Sequence, residues 1–224
     1  MRFGEVRAMK TVSIITVLVC SVVLLIPGHA WSDETDEAYY PLKEGMRWEY
    51  NVTSDKGATK KLIITNLAPR EVNDRKVTPR KWELGGTTFY ELMYKDDTGI
   101  YRYAEQQAEN APPSILTPKE CHLKFPVTKG NNWNMTTKLD GGPLTVNLSI
   151  DSVSEDVTVP AGSFKDCLKI RQAGENEAGA SVLGYEWYAP KVGVVKSIVT
   201  IKKKSKEGAE VAEHRSYQLL SFKP

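Results

Sequence analysis

Cys121 and His122 stand side by side, a thiol next to a base, and are the first residues to weigh for chemistry. A cysteine nucleophile needs a base that shares its substrate atom, and sequence neighbours rarely present both groups to one point. His214, in Ala-Glu-His-Arg-Ser, reads as a solvated polar residue on a strand. Ser163 sits in Pro-Ala-Gly-Ser-Phe, a turn between strands and not the strand-to-helix elbow that exposes a serine nucleophile. Asp96-Asp97 and Glu155-Asp156 have the chemistry to bind a cation or to act as acid and base, but acidic residues at hairpin tips form turns far more often. There is no Cys-x-x-Cys, no His-Glu-x-x-His and no glycine-rich phosphate loop. The sequence therefore reads as a binding or structural protein, not an enzyme, with no cofactor and no metal.

Cys121 and Cys167 are the only thiols beyond the N-terminal segment. An even pair in an exported chain favours a disulfide, and closing this loop would stabilise by at most about 4 kcal/mol. The aromatic residues offer a different chemistry. Trp48, Trp82, Trp133 and Trp187 fall on strand-like runs with Tyr50, Tyr90, Tyr94, Tyr101, Tyr103 and Tyr188. Trp82 and Trp187, which lie outside the repeat described below, are the candidates for lining a site for an apolar or lipid-like ligand.

The elements that must position these residues are strands. Helical periodicity is almost absent, and short β-branched and aromatic runs are punctuated by Gly, Pro, Asn and Asp. Met46, Trp48 and Tyr50 alternate with Arg47, Glu49 and Asn51, the pattern of a half-buried strand. Gly85-Gly86 between two such runs predicts a hairpin, because primed turns need positive φ. About a dozen strands joined by short loops predict a mainly β fold: an antiparallel, strongly curved sheet, or sheets, or a barrel-like structure. Leu62-Ile63-Ile64, Phe89 to Tyr94 and Val194 to Ile201 are apolar on both faces and need a second layer or a ligand to cover them.

The strands come in two sets. Tyr40-Pro-Leu-Lys-Glu-Gly-Met-Arg-Trp48 recurs in outline as Phe125-Pro-Val-Thr-Lys-Gly-Asn-Asn-Trp133. Tyr94 to Gly99-Ile100 recurs as Tyr188 to Gly193-Val194. We read residues 31–104 as a first β-rich half, 105–124 as a proline-rich connector, and 125–224 as a second half, the two forming one compact domain. The matched tryptophans and tyrosines are expected to pack, not to bind.

Residues 1–30 read as a signal peptide. Arg2, Arg7 and Lys10 precede an apolar run over 11–27, and Gly28-His29-Ala30 supplies a small-x-small cleavage site, with Met1 or Met9 as the start. Val19 before Cys20 does not suit lipoprotein processing. The full chain has 30 basic and 28 acidic residues. Cleavage after Ala30 removes three bases and one acid, leaving a formally neutral chain with no call for nucleic acid. Lys202-Lys203-Lys204 and Lys206 are offset by Glu207 and Glu210 and read as a solvated hairpin end. The expected location is periplasmic or secreted, with no transmembrane segment after cleavage.

Three stretches carry a resemblance. The aromatic-Pro-Leu-x-x-Gly-x-x-Trp-x-Tyr start, the run Val157-Thr-Val-Pro-Ala-Gly-Ser-Phe-Lys-Asp-Cys-Leu-Lys-Ile170, and Trp187-Tyr-Ala-Pro-Lys-Val-Gly-Val-Val-Lys196 are similar to a bacterial family of exported proteins classed as a domain of unknown function. That resemblance implies an envelope-located or secreted β protein, often a lipoprotein, and brings no catalytic residues. The partner it leaves open is a lipid-like small molecule or another envelope protein.

Overall fold

In the computed structural model, the described residues are 34–224 except 56, 58, 140–141 and 205–208; the signal segment and its cleavage site lie outside them. A short helix α1 (Glu34–Ala38) precedes β1 (Arg47–Ser54), β2 (Thr59–Asn66), β3 (Arg70–Val72), β4 (Arg75–Leu84), β5 (Thr87–Asp96), β6 (Gly99–Gln106) and β7 (Ser114–Lys124). Then follow β8 (Asn132–Leu139), β9 (Gly142–Val159), β10 (Gly162–Glu175), β11 (Ser181–Ala189), β12 (Gly193–Lys204) and β13 (Glu210–Lys223). The alternation expected around Trp48 is present: Trp48, Tyr50 and Val52 are buried while Arg47, Glu49 and Asn51 are not. Gly85 and Gly86 have φ of 58° and 84° and close a two-residue turn between Leu84 and Thr87, which pair in register. A second turn of this kind, at Asn73-Asp74 with φ of 48° and 59°, folds β3 back on β4.

All strands pair antiparallel in the order β7-β6-β5-β4-β2-β1-β13-β12-β11-β10-β9-β8, with β3 on β4 off this path. The sheet curls into a nearly closed barrel whose edge strands, β7 and β8, lie alongside each other without a ladder. The order falls into two meanders. β1, β2, β4, β5, β6 and β7 form one meander and β8 to β13 another, joined by the β1·β13 ladder. The β7–β8 seam is the other place where the two meanders meet. One indole N–H crosses it: Trp133 Nε1 donates to the Cys121 carbonyl at 2.8 Å. Its repeat mate Trp48 donates to the Val192 carbonyl at 2.6 Å.

The stretch 105–124, expected as a connector, instead carries the end of β6 and all of β7. Pro118 suggested a break, yet proline is tolerated on an edge strand, and β7 is an edge.

Residues 34–45 bond to both meanders. The Pro41 carbonyl accepts from Asn66 Nδ2 at 3.1 Å and from Arg80 Nη2 at 3.4 Å. The Lys191 amide donates to the Ala38 carbonyl at 2.7 Å, and the Val127 amide to Asp36 Oδ2 at 3.1 Å. Tyr40 thereby enters the core beside Tyr188, with ring centroids 6.1 Å apart.

Gly99, one of the repeated glycines, has no room for a side chain: a Cβ there would meet the Leu123 carbonyl oxygen at 2.3 Å. Gly99→Ala must push β6 and β7 apart, so we expect a loss of at least about 1 kcal/mol, read as a lower urea midpoint.

Candidate ligand cavity

The barrel interior holds a cavity of about 250 Å³. Its apolar wall combines Trp48 and Tyr50 from β1, Leu62 and Ile64 from β2, Trp82 from β4 and Val199 from β12. Its polar wall combines Arg80, Glu91, His122, Gln172, Glu186 and Ser197. These groups face inward through register: Arg80 pairs with Glu91, and Glu186 pairs with Ser197, so the members of each pair share a face of the sheet. A wider, more open cleft of about 700 Å³ lies beside residues 37–43, where Tyr40 lines both spaces.

On the polar wall a chain of contacts runs across four strands. Trp82 Nε1 donates to Glu91 Oε2 at 3.0 Å, and Arg102 Nη1 donates to Glu91 Oε1 at 2.9 Å. Arg102 Nε donates to Glu120 Oε2 at 2.8 Å, Nη2 reaches the same oxygen, and Nη1 also pairs with Glu105 at 2.9 Å. The Arg102, Glu91 and Glu120 side chains are 15 %, 7 % and 5 % exposed, so this is a largely dry network. His122 Nε2 lies 3.8 Å from Glu120, and is buried without a hydrogen-bond partner. Burial pushes the Glu120 carboxyl up, but His122 and the Arg102 guanidinium outweigh it and hold it at about 2.

Tyrosine hydroxyls complete the site. Tyr188 donates to Glu186 Oε2 at 2.5 Å, and Ser197 Oγ to Glu186 Oε1 at 3.4 Å. Tyr50 donates to the Val194 carbonyl at 2.8 Å. Burial raises Tyr40, Tyr50 and Tyr188, Tyr40 to about 12, so each of these remains a neutral phenol at physiological pH. Arg80 is 7 % exposed, with its guanidinium 4.5 Å over the Tyr40 ring and 5.1 Å from that of Trp48.

The residues singled out from the sequence divide. Trp82 lines the cavity and stacks on Phe89 at 5.6 Å. Trp187 lies outside the lining; it pairs across the sheet with Lys169 and Lys196, whose ammonium groups sit 5.4 and 5.0 Å from its ring. The expected disulfide is not formed. Cys121 and Cys167 are free, the first packed against the cluster around Leu123 and Trp133, the second fully buried in that around Trp48 and Leu219. Burial pushes both thiols up to about 11, so they stay protonated at neutral pH. Asp96 is a turn former, accepting from the Thr98 amide at 2.9 Å. His214 shares a hydrogen bond with Thr200 at 2.9 Å. Lys202 pairs with Glu210 at 3.2 Å, as a solvated hairpin end would.

Sequence reasoning missed Arg80, Glu91, Arg102 and Glu120, and set His122 aside. The available signal was parity: Arg80 shares a strand face with Trp82, Glu186 with Tyr188, and Glu120 with His122. Charges in phase with aromatics mark a polar lining inside an aromatic wall.

Among the described residues no helix is long and apolar enough to cross a membrane, and no cluster of three or more His, Cys, Asp or Glu is placed to hold a metal. No curated protein matches the chain. Among solved structures it is similar to a candidate lipoprotein of Parabacteroides distasonis, 15 % identical over 83 % of this chain and 98 % of that one, with a TM-score of 0.43. It is also similar to a candidate exported protein with a YmcC-like fold from Bacteroides fragilis, 16 % identical over 82 % of this chain and 98 % of that one, with a TM-score of 0.45. The DUF3108-like family matches residues 145–211, from β9 into the start of β13.

Proposed function

We propose that this is an exported protein of the cell envelope that acts by binding a small apolar or lipid-like molecule inside its barrel, without catalysing a reaction. The supporting observation is the aromatic-walled cavity of about 250 Å³ between the two halves of the sheet. Ligand sites are concave and mostly apolar, with a few converging polar groups that fix orientation. The size suits a compact molecule or a single short chain, not a two-chain lipid. Export rests on the basic and apolar N-terminal segment and its Gly28-His29-Ala30 site.

The test is titration of the mature protein with N-phenyl-1-naphthylamine, a neutral apolar dye that fluoresces when taken out of water. We expect saturable one-to-one binding. Val199→Trp, which fills the cavity from β12, should weaken it at least tenfold with the circular dichroism spectrum unchanged. Equal binding by a folded Val199→Trp protein would place the dye elsewhere and overturn the reading.

A second reading, an interaction module of the envelope, draws on the outer wall. Leu183 on β11 and Ile198 on β12 are 47 % and 39 % exposed and flank Tyr185, a small apolar patch outside the barrel. Pull-down from an envelope fraction that depends on Leu183 and Ile198 would favour it.

A further inference from the structure

Arg80 is a buried cation without a counter-ion. Its Nε donates to Asn66 Oδ1 at 3.1 Å and its Nη2 to the Pro41 carbonyl at 3.4 Å. Among the described residues no carboxylate comes within ion-pair distance of it, and no acceptor meets Nη1. The two carboxylates that line the same cavity are elsewhere engaged. Glu91, its partner in register, is taken by Arg102 and Trp82, and Glu186 accepts from Tyr188 and Ser197. The rings of Tyr40 and Trp48 offer it only their π faces. A guanidinium withdrawn from water is costly unless paired, and its planar fork matches a carboxylate in two-point geometry.

We infer that the ligand of this cavity is an amphipathic monoanion whose carboxylate is held by Arg80, with its apolar body between Trp48, Trp82 and Ile64. This rests on the cavity reading above and narrows it to a chemical class. The Tyr40 hydroxyl, also without a partner among the described residues, adds a donor next to the guanidinium. The charge of the head follows from the rest of the wall. Glu91 and Glu186 line the same space, so a second negative charge would meet two carboxylates. A phosphate monoester should therefore bind less well than a carboxylate of equal chain length.

Competition against N-phenyl-1-naphthylamine with octanoate, octanol and octyl phosphate tests this in the wild-type protein alone. We expect octanoate to displace the dye about ten- to a hundredfold more tightly than octanol, the span of a charge-assisted hydrogen bond in a dry site, and more tightly than octyl phosphate. Arg80→Met should abolish the preference for octanoate over octanol while leaving octanol binding in place. Arg80→Lys, which keeps the charge and loses the fork, should retain part of it. The wild-type comparison stands even if Arg80→Met fails to fold for want of its bonds to Asn66 and Pro41. Equal competition by octanoate and octanol would overturn the assignment and leave the cavity reading intact. Tighter binding of octyl phosphate would overturn the monoanion in favour of a phosphate head. Failure of the dye to bind, or dye binding indifferent to Val199→Trp, would sink the cavity reading and this assignment with it.

Discussion

Arg102→Met is expected to destabilise the protein by about 3–5 kcal/mol, because it strands Glu91 and Glu120, both nearly dry, without their cation. For a domain of this size that lowers the melting temperature by about 10 °C. The effect should be strongly non-additive. Adding Glu91→Gln and Glu120→Gln to Arg102→Met removes the stranded charges, so the triple variant should recover much of the loss, whereas independent sites would sum. A triple variant less stable than the single one would show that the charges contribute through packing and not as a network.

The same network predicts the acid limb of the stability curve. The Glu120 carboxyl sits at about 2 in the folded protein against an ordinary value of 4.5. A depressed carboxyl stabilises above its unfolded value, and that contribution is lost as pH falls through the folded one. Stability should therefore decline between pH 4.5 and about 2, and Glu120→Gln should flatten that part of the curve measured by urea unfolding.

Much of the architecture could be read from residue order because it is local. Alternation around Trp48 and the Gly85-Gly86 turn set strands and a hairpin without reference to the rest of the chain. Trp48 and Trp133 match in sequence, and both make the main-chain bonds expected of packing residues, but Trp48 also lines the cavity, which the repeat frame does not predict. β7 was illegible because Pro112, Pro113 and Pro118 break helices and central strands alike, and only the sheet order reveals an edge. The interior was harder still. Trp82 and Trp187 have similar surroundings in sequence, and cross-strand register decides that one faces the cavity while the other lies between Lys169 and Lys196. Arg80 and Arg102 look like ordinary strand charges until closure of the barrel puts them inside. For the cysteines, an even pair in an exported chain suggested a bridge, but Cys167 packs against Trp48 and Leu219 without a sulfur partner.

The unladdered seam carries the second large prediction. Two junctions join the halves, and in a perfect repeat they would be equivalent. β1 and β13 form a ladder running from Arg47 opposite Lys223 to Ser54 opposite Arg215, whereas β7 and β8 face each other with the Trp133 indole as a bridge. Within β7 the pairing to β6 also lapses between Ile115 and Glu120. Amides of Leu116, Thr117 and Lys119 therefore have no ladder to break before they exchange with solvent, while those in the β1·β13 ladder require opening of the whole barrel. Hydrogen exchange should separate the two groups by at least roughly a thousandfold, the smallest factor that the usual stability of a folded domain allows. Equal protection at both junctions would mean that the barrel is closed in solution and that β7 and β8 form the ladder their repeat mates form. Trp133→Phe removes the bridging N–H while keeping an aromatic ring in the core. It should speed exchange along β8 and leave β1 unchanged, because the seam alone depends on a side chain to hold its edges together.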